Sequence, residues 1–271
     1  MPEKNNFLTN YIKSEIEELA ESVADSYCVN GIVNPEVIAE SEDISFTYGE
    51  YKDSFDGLLE HEYGTFHIYI NTDRLEHAYT ERARFTFAHE LGHFYIDNHR
   101  NALAQGLINS HCSFTGFVSD KKMEREADYF ASCLLLPKKR IEKDCFRKKF
   151  DIKLIKELSK KYQVSLTATA LRFATIGNHP IMIVYSVDNS IKWYWRSDDF
   201  PFWVLKHGKD KIPNDTAMSE FYTMGTKYKS NETVYAENWF KMNFESDYDR
   251  QFCEHCIYGL DNSVLSIIWE D

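Results

Sequence analysis

The 271-residue chain predicts an α+β fold in two parts, residues 1–178 and 179–271. Three observations carry that reading. Apolar residues recur at helical spacing over 6–28, 82–95 and 123–136; β-type runs fill 44–71 and much of 181–269; and the composition turns β-branched and aromatic from His179-Pro180 onward. A chain of this length buries a sizeable core and readily splits into two units.

Residues 6–28 place Leu8, Ile12, Ile16, Leu19 and Val23 on one side of an amphipathic helix, expected to cover the sheet. Asn34-Pro35 opens a second, short helix. From Ile44 to Asn71 the pattern is two or three strands, with turns at Gly49, Asp56-Gly57 and Gly64. In the last of these, Phe66, Ile68 and Ile70 alternate with Thr65, His67 and Tyr69, as in a half-buried strand. An exposed edge there would accept an extended peptide through backbone hydrogen bonds.

Arg82 to Tyr95 reads as helix, with Phe85, Ala88, Leu91, Gly92 and Tyr95 at spacings of three and four. Gly92 costs about 1 kcal/mol against Ala in a helix interior. Something is therefore expected to pass close to it: a backbone, a substrate or a metal ligand. Residues 99–120 lack periodicity and contain Gly106 and Gly116, the signature of a long loop of the lid or gate kind. Met123 to Leu136 is again helical, with Ala127, Phe130, Ala131 and Leu134 on one face and Pro137 ending the run.

Residues 151–176 outline two helices joined by a short turn, a helix-turn-helix-like pattern. Arg172 is the one charge on the second of them, too little to read bases and phosphates, so packing within the protein is the preferred role. In the second part, Ile181–Ser186 and Ile191–Arg196 flank Asp188-Asn189, and Cys256–Tyr258 and Val264–Trp269 flank Asp261-Asn262. Two hairpins thus frame a small mixed α/β domain. Phe200, Phe202, Trp203, Tyr222, Trp239 and Phe240 lie between them and would line a recognition pocket or fill a small core.

The chemistry is carried by His89-Glu90-Leu91-Gly92-His93. Residues i and i+4 project from one helical face, so both imidazoles can close on one cation, and Glu90, offset by one residue, can reach a water there. From this chain's own His and Glu content such a pentapeptide arises by chance in roughly 3% of chains this long, so its surroundings must decide. A catalytic zinc takes three protein ligands and keeps one position open. The second helix supplies the third. Glu124 and Asp128 are four apart and share a face: Glu124 is assigned as ligand, and Asp128 as acceptor of the distal N–H of a metal-bound histidine. Glu126, pointing elsewhere on the helix, is the rival ligand. A purely structural zinc would more naturally take four protein ligands, usually including cysteines.

Phe85-Thr86-Phe87-Ala88 leading into that pentapeptide, and the run from Glu124 to Pro137, together resemble the ImmA/IrrE family of metallo-endopeptidases, a branch of the thermolysin-like gluzincins. Asp56-Gly57 with the strand at Phe66–Asn71, and Leu158-Ser159 through Val164-Ser165 to Arg172-Phe173, are also similar to it, so the resemblance spans about residues 5 to 178. It implies a zincin-like metalloprotease domain. It implies further that His89, His93 and Glu124 bind Zn2+, that Glu90 is the general base, and that Asp128 falls on the family's Asn/Asp position. The substrate implied is a helix-turn-helix transcriptional repressor, cleaved to release genes of mobile elements, phage or stress defence. The family's Leu-Leu-Met-Pro is Leu-Leu-Leu-Pro here, ending at Pro137.

Zinc so held acidifies a water toward a pKa of about 7 and polarises a scissile carbonyl, while Glu90 takes the proton and returns it to the leaving amine. For the donor that steadies the oxyanion, His99, His111 and Tyr129 are the nearest in sequence, each with a structural role as the preferred reading. The second part would then be a sensor or substrate-recognition domain.

The net charge of −12 argues against general affinity for duplex DNA. No run of 18 apolar residues spans a membrane, and Met1 to Asn6 lacks a basic region leading into an apolar stretch, so a cytoplasmic location is expected. The six cysteines are expected as reduced thiols. Cys253-Glu254-His255-Cys256 has chelating spacing, but one such pair is a weak signal for a second metal or redox site. A competing reading is a non-proteolytic regulator that binds a repressor partner or nucleic acid, with its metal structural.

Overall fold

A computed structural model describes residues 8–29, 31–107, 111–113, 122–209, 211–242 and 244–270, with the backbone alone at Val29 and 111–113. The chain is a mixed α+β protein of two compact units, one of Met1–Lys143 with Glu157–Ser165 and one of Asp144–Lys156 with Leu166–Asp271.

The first unit begins with α1 (Asn10–Tyr27), whose N-cap Thr9 accepts a hydrogen bond from the Ile12 N–H. A small antiparallel pair, β1 (Cys28–Val29) and β2 (Ile32–Val33), leads into α2 (Pro35–Ser41), capped by Asn34 with Pro35 in its first turn. Then follow β3 (Ser45–Gly49), β4 (Gly57–Glu62), β5 (Thr65–Asn71), α3 (Glu81–Tyr95), α4 (Asp97–Ala104), β6 (His111–Ser113), α5 (Lys122–Leu135) and α6 (Lys138–Cys145). The helical pattern read across 151–176 is α7 (Ile152–Tyr162) and α8 (Leu166–Ile176).

The four-stranded sheet runs β3-β5-β4-β6, with β3 parallel to β5 and the remaining pairs antiparallel. Helix α3 packs on it through Phe87, Ala88 and Leu91, which are fully buried with Leu59, Ile68 and Ile70 of the strands. Helix α5 lies against α3. Two expectations change here. Strand β5 is interior, hydrogen-bonded to β3 on one side and β4 on the other, so its backbone has no edge to offer a peptide. Helix α1 packs chiefly on α5 rather than covering the sheet, because the position over the strands is taken by α3. Of the stretch read as one long loop, residues 97–104 are helix α4 and 111–113 are strand β6, while 108–110 and 114–121 lie outside the described residues.

The second unit holds β7 (Ile181–Val187), β8 (Ser190–Arg196), α9 (Ala217–Met224), β9 (Glu232–Tyr235), α10 (Ala236–Trp239), β10 (Gln251–Tyr258) and β11 (Ser263–Glu270). Both hairpins form where they were read. Asp188 and Asn189 have φ of 50° and 58°, the left-handed pair that matches the twist of a two-residue hairpin, and Asp261 and Asn262 have 53° and 54° in the slightly longer loop between Tyr258 and Val264. The sheet, in order β8-β7-β11-β10-β9, is antiparallel throughout, so this unit is α+β rather than mixed α/β.

Its aromatic residues fill the core. Phe200, Phe202, Trp239, Phe240 and Phe252 are buried together, with the Phe202 and Phe240 rings stacked 4.8 Å apart, and each such ring stabilises by roughly 1.5–3 kcal/mol on burial. Trp203 instead lies on the surface beneath the Arg196 guanidinium. Helix α8 and the segment Asp144–Lys156 belong to this unit, whereas Glu157–Ser165 belongs to the first. The reason is aromatic packing: Phe173 of α8 meets Phe150, which in turn meets Trp269 of β11. Arg172, the one charge on α8, is 2% exposed and so is not presented to a nucleic acid. No helix among the described residues is long and apolar enough to cross a membrane.

Candidate metal centre

Helix α3 is anchored at its start. Thr80 caps it by accepting from the Ala83 N–H at 3.0 Å, and the fully buried Asp56 binds Arg74 at 2.6 Å and Arg82 at 2.9 Å, tying the turn before β4 to the first turn of the helix. Four residues apart on the inner face, His89 and His93 then point their Nε2 atoms at one place, 3.1 Å from each other.

Helix α5 crosses α3 at very short range, and Gly92 is what permits it. A Cβ on Gly92 would lie 3.1 Å from the Cα of Ala127 and 3.2 Å from its carbonyl oxygen. The close neighbour expected from sequence is therefore the α5 backbone. The approach carries Glu124, in the first turn of α5, to the two histidines: Oε2 is 3.6 Å from His89 Nε2, and Oε1 is 3.5 Å from His93 Nε2.

The two Nε2 atoms lie 3.1 Å apart with one oxygen of the Glu124 carboxylate 3.5–3.6 Å from each, and one ligand atom from each of the three residues falls within 4.8 Å of the others, a spacing that suits a small divalent ion. Tetrahedral zinc with bonds near 2.0–2.1 Å places its ligand atoms about 3.3 Å apart. The donor chemistry agrees. Two imidazole nitrogens and a carboxylate facing one point are mutually attractive only around a cation or a proton. Burial alone pushes the His89 imidazole down, but Asp128 and Glu124 outweigh it and raise it to about 10. Burial likewise pushes Glu124 up, and the two histidines hold it well below the ordinary carboxylate range. A cation entering this group replaces the proton that otherwise bridges it.

Behind the ligands, Asp128 Oδ1 accepts from His89 Nδ1 at 2.8 Å, which leaves the Nε2 lone pair directed inward. Glu126, the rival ligand, faces away from the triangle. Its Oε2 lies 2.9 Å from His99 Nε2, and His99 Nδ1 lies 3.1 Å from His93 Nδ1. Burial holds His99 below its ordinary value in spite of Glu126. His99 is thus engaged at both ring nitrogens and is not aimed at a substrate oxyanion. Tyr129 is half-buried on α5, and the His111 side chain lies outside the described residues.

Glu90 is fully buried beside His89 and packs against β4 at Gly57. A Cβ on Gly57 would fall 2.5 Å from Glu90 Oε1 and 2.6 Å from the Thr86 methyl, so the carboxylate occupies a recess that only glycine leaves open. The Asp56-Gly57 pair signals a turn in the sequence, but nothing local in the chain signals this contact. Among the described residues, His89, His93 and Glu124 are the group able to hold a metal ion. Cys253 and Cys256 do not make another. Three apart on β10, they point to opposite faces of the sheet, with Cys256 buried beside Glu254. Among the described residues, Cys28, Cys145 and Cys256 are free thiols.

Comparison with known proteins places this geometry. In fold, the chain is similar to a Mycobacterium tuberculosis transcriptional regulator, with a TM-score of 0.55 and 13% identity over 98% of this chain and 77% of that one. No curated protein matches the sequence. The family model described as the IrrE N-terminal-like domain, a metallopeptidase family, matches residues 51–174, which include both histidines, Glu90, Glu124 and Asp128. Residues 51–174 accordingly belong to the ImmA/IrrE family.

Proposed function

We propose that the protein is a zinc-dependent endopeptidase of zincin-like design that acts in the cytoplasm on a helix-turn-helix transcriptional repressor, relieving repression of mobile-element, phage or stress-defence genes. The observation that carries the reading is the triangle of His89, His93 and Glu124 with Glu90 next to its first member. Three protein ligands, one fewer than a structural zinc normally takes, would suit a catalytic zinc.

His89 and His93 would hold the ion through Nε2 and Glu124 through its carboxylate, and Asp128 would keep His89 in the tautomer that does so. Zinc, when bound, supplies a positive charge that acidifies water and polarises the scissile carbonyl. Glu90 accepts the proton of the attacking water and delivers it to the leaving amine. Burial of Glu90, His89 and His93 removes competing solvent and strengthens every charge interaction among them. The fold shared with a protein named as a transcriptional regulator, and the IrrE N-terminal-like domain, support a regulatory rather than a digestive protease.

The test is to incubate zinc-loaded protein and its Glu90→Gln variant with the helix-turn-helix protein encoded beside it, and to look for fragments. Cutting by the wild type alone is expected. Equal cutting by both removes Glu90 from the mechanism, and an intact partner that co-purifies with the zinc-loaded wild type favours a non-proteolytic regulator.

A further inference from the structure

The two histidines of the metal centre are held from behind in different ways. His89 Nδ1 meets the Asp128 carboxylate directly at 2.8 Å. His93 Nδ1 meets a third imidazole, His99 Nδ1, at 3.1 Å, and His99 Nε2 continues to Glu126 Oε2 at 2.9 Å. Lys122 Nζ stands 3.4 Å from Glu126 Oε1, closing the outer end. His99 is 1% exposed and Glu126 8%, so the chain of contacts is internal.

Its tautomers follow from the metal end. If His93 gives its Nε2 lone pair to a cation, its Nδ1 carries the proton and donates. His99 Nδ1 must then accept, which puts the His99 proton on Nε2, where the Glu126 carboxylate receives it. Each group in the series has one role, and each bond has one donor and one acceptor. A buried polar network is stabilising only when complete in this way.

The local sequence explains the arrangement. Helix α3 ends at Tyr95 and α4 begins at Asp97, with Ile96 extended between them, and the bend brings the His99 ring beside that of His93. Two residues along an α-helix turn by about 200°, so α5 shows Glu124 to the ligand triangle and Glu126 to its rear.

We propose that His99 and Glu126 are positioning residues: they fix the tautomer and ring orientation of His93, as Asp128 does for His89, through a relay of two side chains instead of one. The inference rests on the metal reading above. Partners behind a metal-bound histidine contribute about 10–100-fold in metal affinity.

The experiment measures zinc affinity of the full chain by competition with a chromophoric chelator, alongside the absorption of the cobalt(II) form. His99→Phe, which removes the acceptor, is expected to weaken zinc binding about 10–100-fold and to alter the cobalt spectrum. His99→Asn, which places an amide oxygen where Nδ1 was, is expected to recover most of the affinity. Folded His99→Phe protein with wild-type zinc affinity would overturn the relay. Should His99→Phe not fold, nitrogen-15 NMR of the histidine rings in zinc-loaded wild type decides: His99 with a bare Nδ1 and protonated Nε2 supports the proposal, and the opposite tautomer overturns it. A wild type that takes up no zinc would strike down the metal reading itself, and the relay with it.

Discussion

Each compact unit sinks ionisable side chains beyond the reach of water, and the two do so on opposite principles. In the second unit, Glu254 is fully buried, and its carboxylate accepts from the Ala217 N–H at 2.9 Å, the Met218 N–H at 3.2 Å, Trp239 Nε1 at 3.1 Å and the Ser266 hydroxyl at 2.8 Å. Two of those donors are the first N–H groups of α9, so the glutamate closes a helix end from a neighbouring strand. In the first unit, by contrast, His89 Nε2 and His93 Nε2 face each other 3.1 Å apart with the Glu124 carboxylate beside them. Burial of charge does not by itself mark a site. A carboxylate surrounded by donors is part of the core, whereas ring nitrogens and a carboxylate gathered around one point need a proton or a cation between them.

The largest expected effect tests the chemistry of the first unit. Glu90→Gln should lower repressor cleavage by about 10²–10⁴-fold, the typical contribution of a general base, while zinc uptake and far-UV circular dichroism stay as in the wild type. A fragment-release time course checks it. Next comes the converse in the second unit. Glu254→Ala leaves several buried donors without an acceptor and should destabilise by at least about 3 kcal/mol, read from urea denaturation, without changing zinc affinity per folded molecule. A stable Glu254→Ala protein would mean that water enters and replaces the carboxylate.

Zinc should stabilise one unit only. At free zinc 100 times its dissociation constant the gain is about 2.7 kcal/mol, expected as slowed hydrogen exchange in α3 and α5 and not in β10 or β11. The same titration carries a pH dependence. With His89 raised to about 10, the metal-free protein holds a proton there at neutral pH, and zinc must displace it. The sign is fixed: zinc binding releases a proton and tightens as pH rises toward 10, measurable by calorimetry in buffers of different ionisation enthalpy. In metal-free protein the same His89 stabilises the fold below its unfolded value, and that contribution is lost as pH rises through about 10. The smallest effect is Gly92→Ala, which overpacks the α3 to α5 contact and should cost about 1–3 kcal/mol, seen as a lower denaturation midpoint with weakened zinc binding.

Much of the candidate metal centre is legible in the sequence because its geometry is local. His89 and His93 share a face by helical period alone, and Glu124 and Asp128 do the same on the second helix. The two hairpins were equally readable, since Asp188-Asn189 and Asp261-Asn262 are the residue types that tolerate positive φ. Less could be read where partners are distant in the chain. Strand β5 alternates as an edge strand would, yet it lies inside the sheet, because alternation reports which face is buried and says nothing of how many neighbours a strand has. Helix α1 shows its apolar stripe plainly, but a stripe does not name what it meets, and α5 is the answer.

His89, Glu90, His93, Glu124 and Asp128 follow from short-range spacing, which sets the direction of a side chain from its own helix and needs no knowledge of the remainder. The pairing of His99 with Glu126, the recess that Gly57 leaves for Glu90, the closeness of Ala127 to Gly92 and the donors around Glu254 are contacts between segments far apart along the chain. Periodicity sets only the face a residue occupies. Which other face comes to meet it depends on how whole helices and strands pack, and that is settled by the burial of the entire core at once.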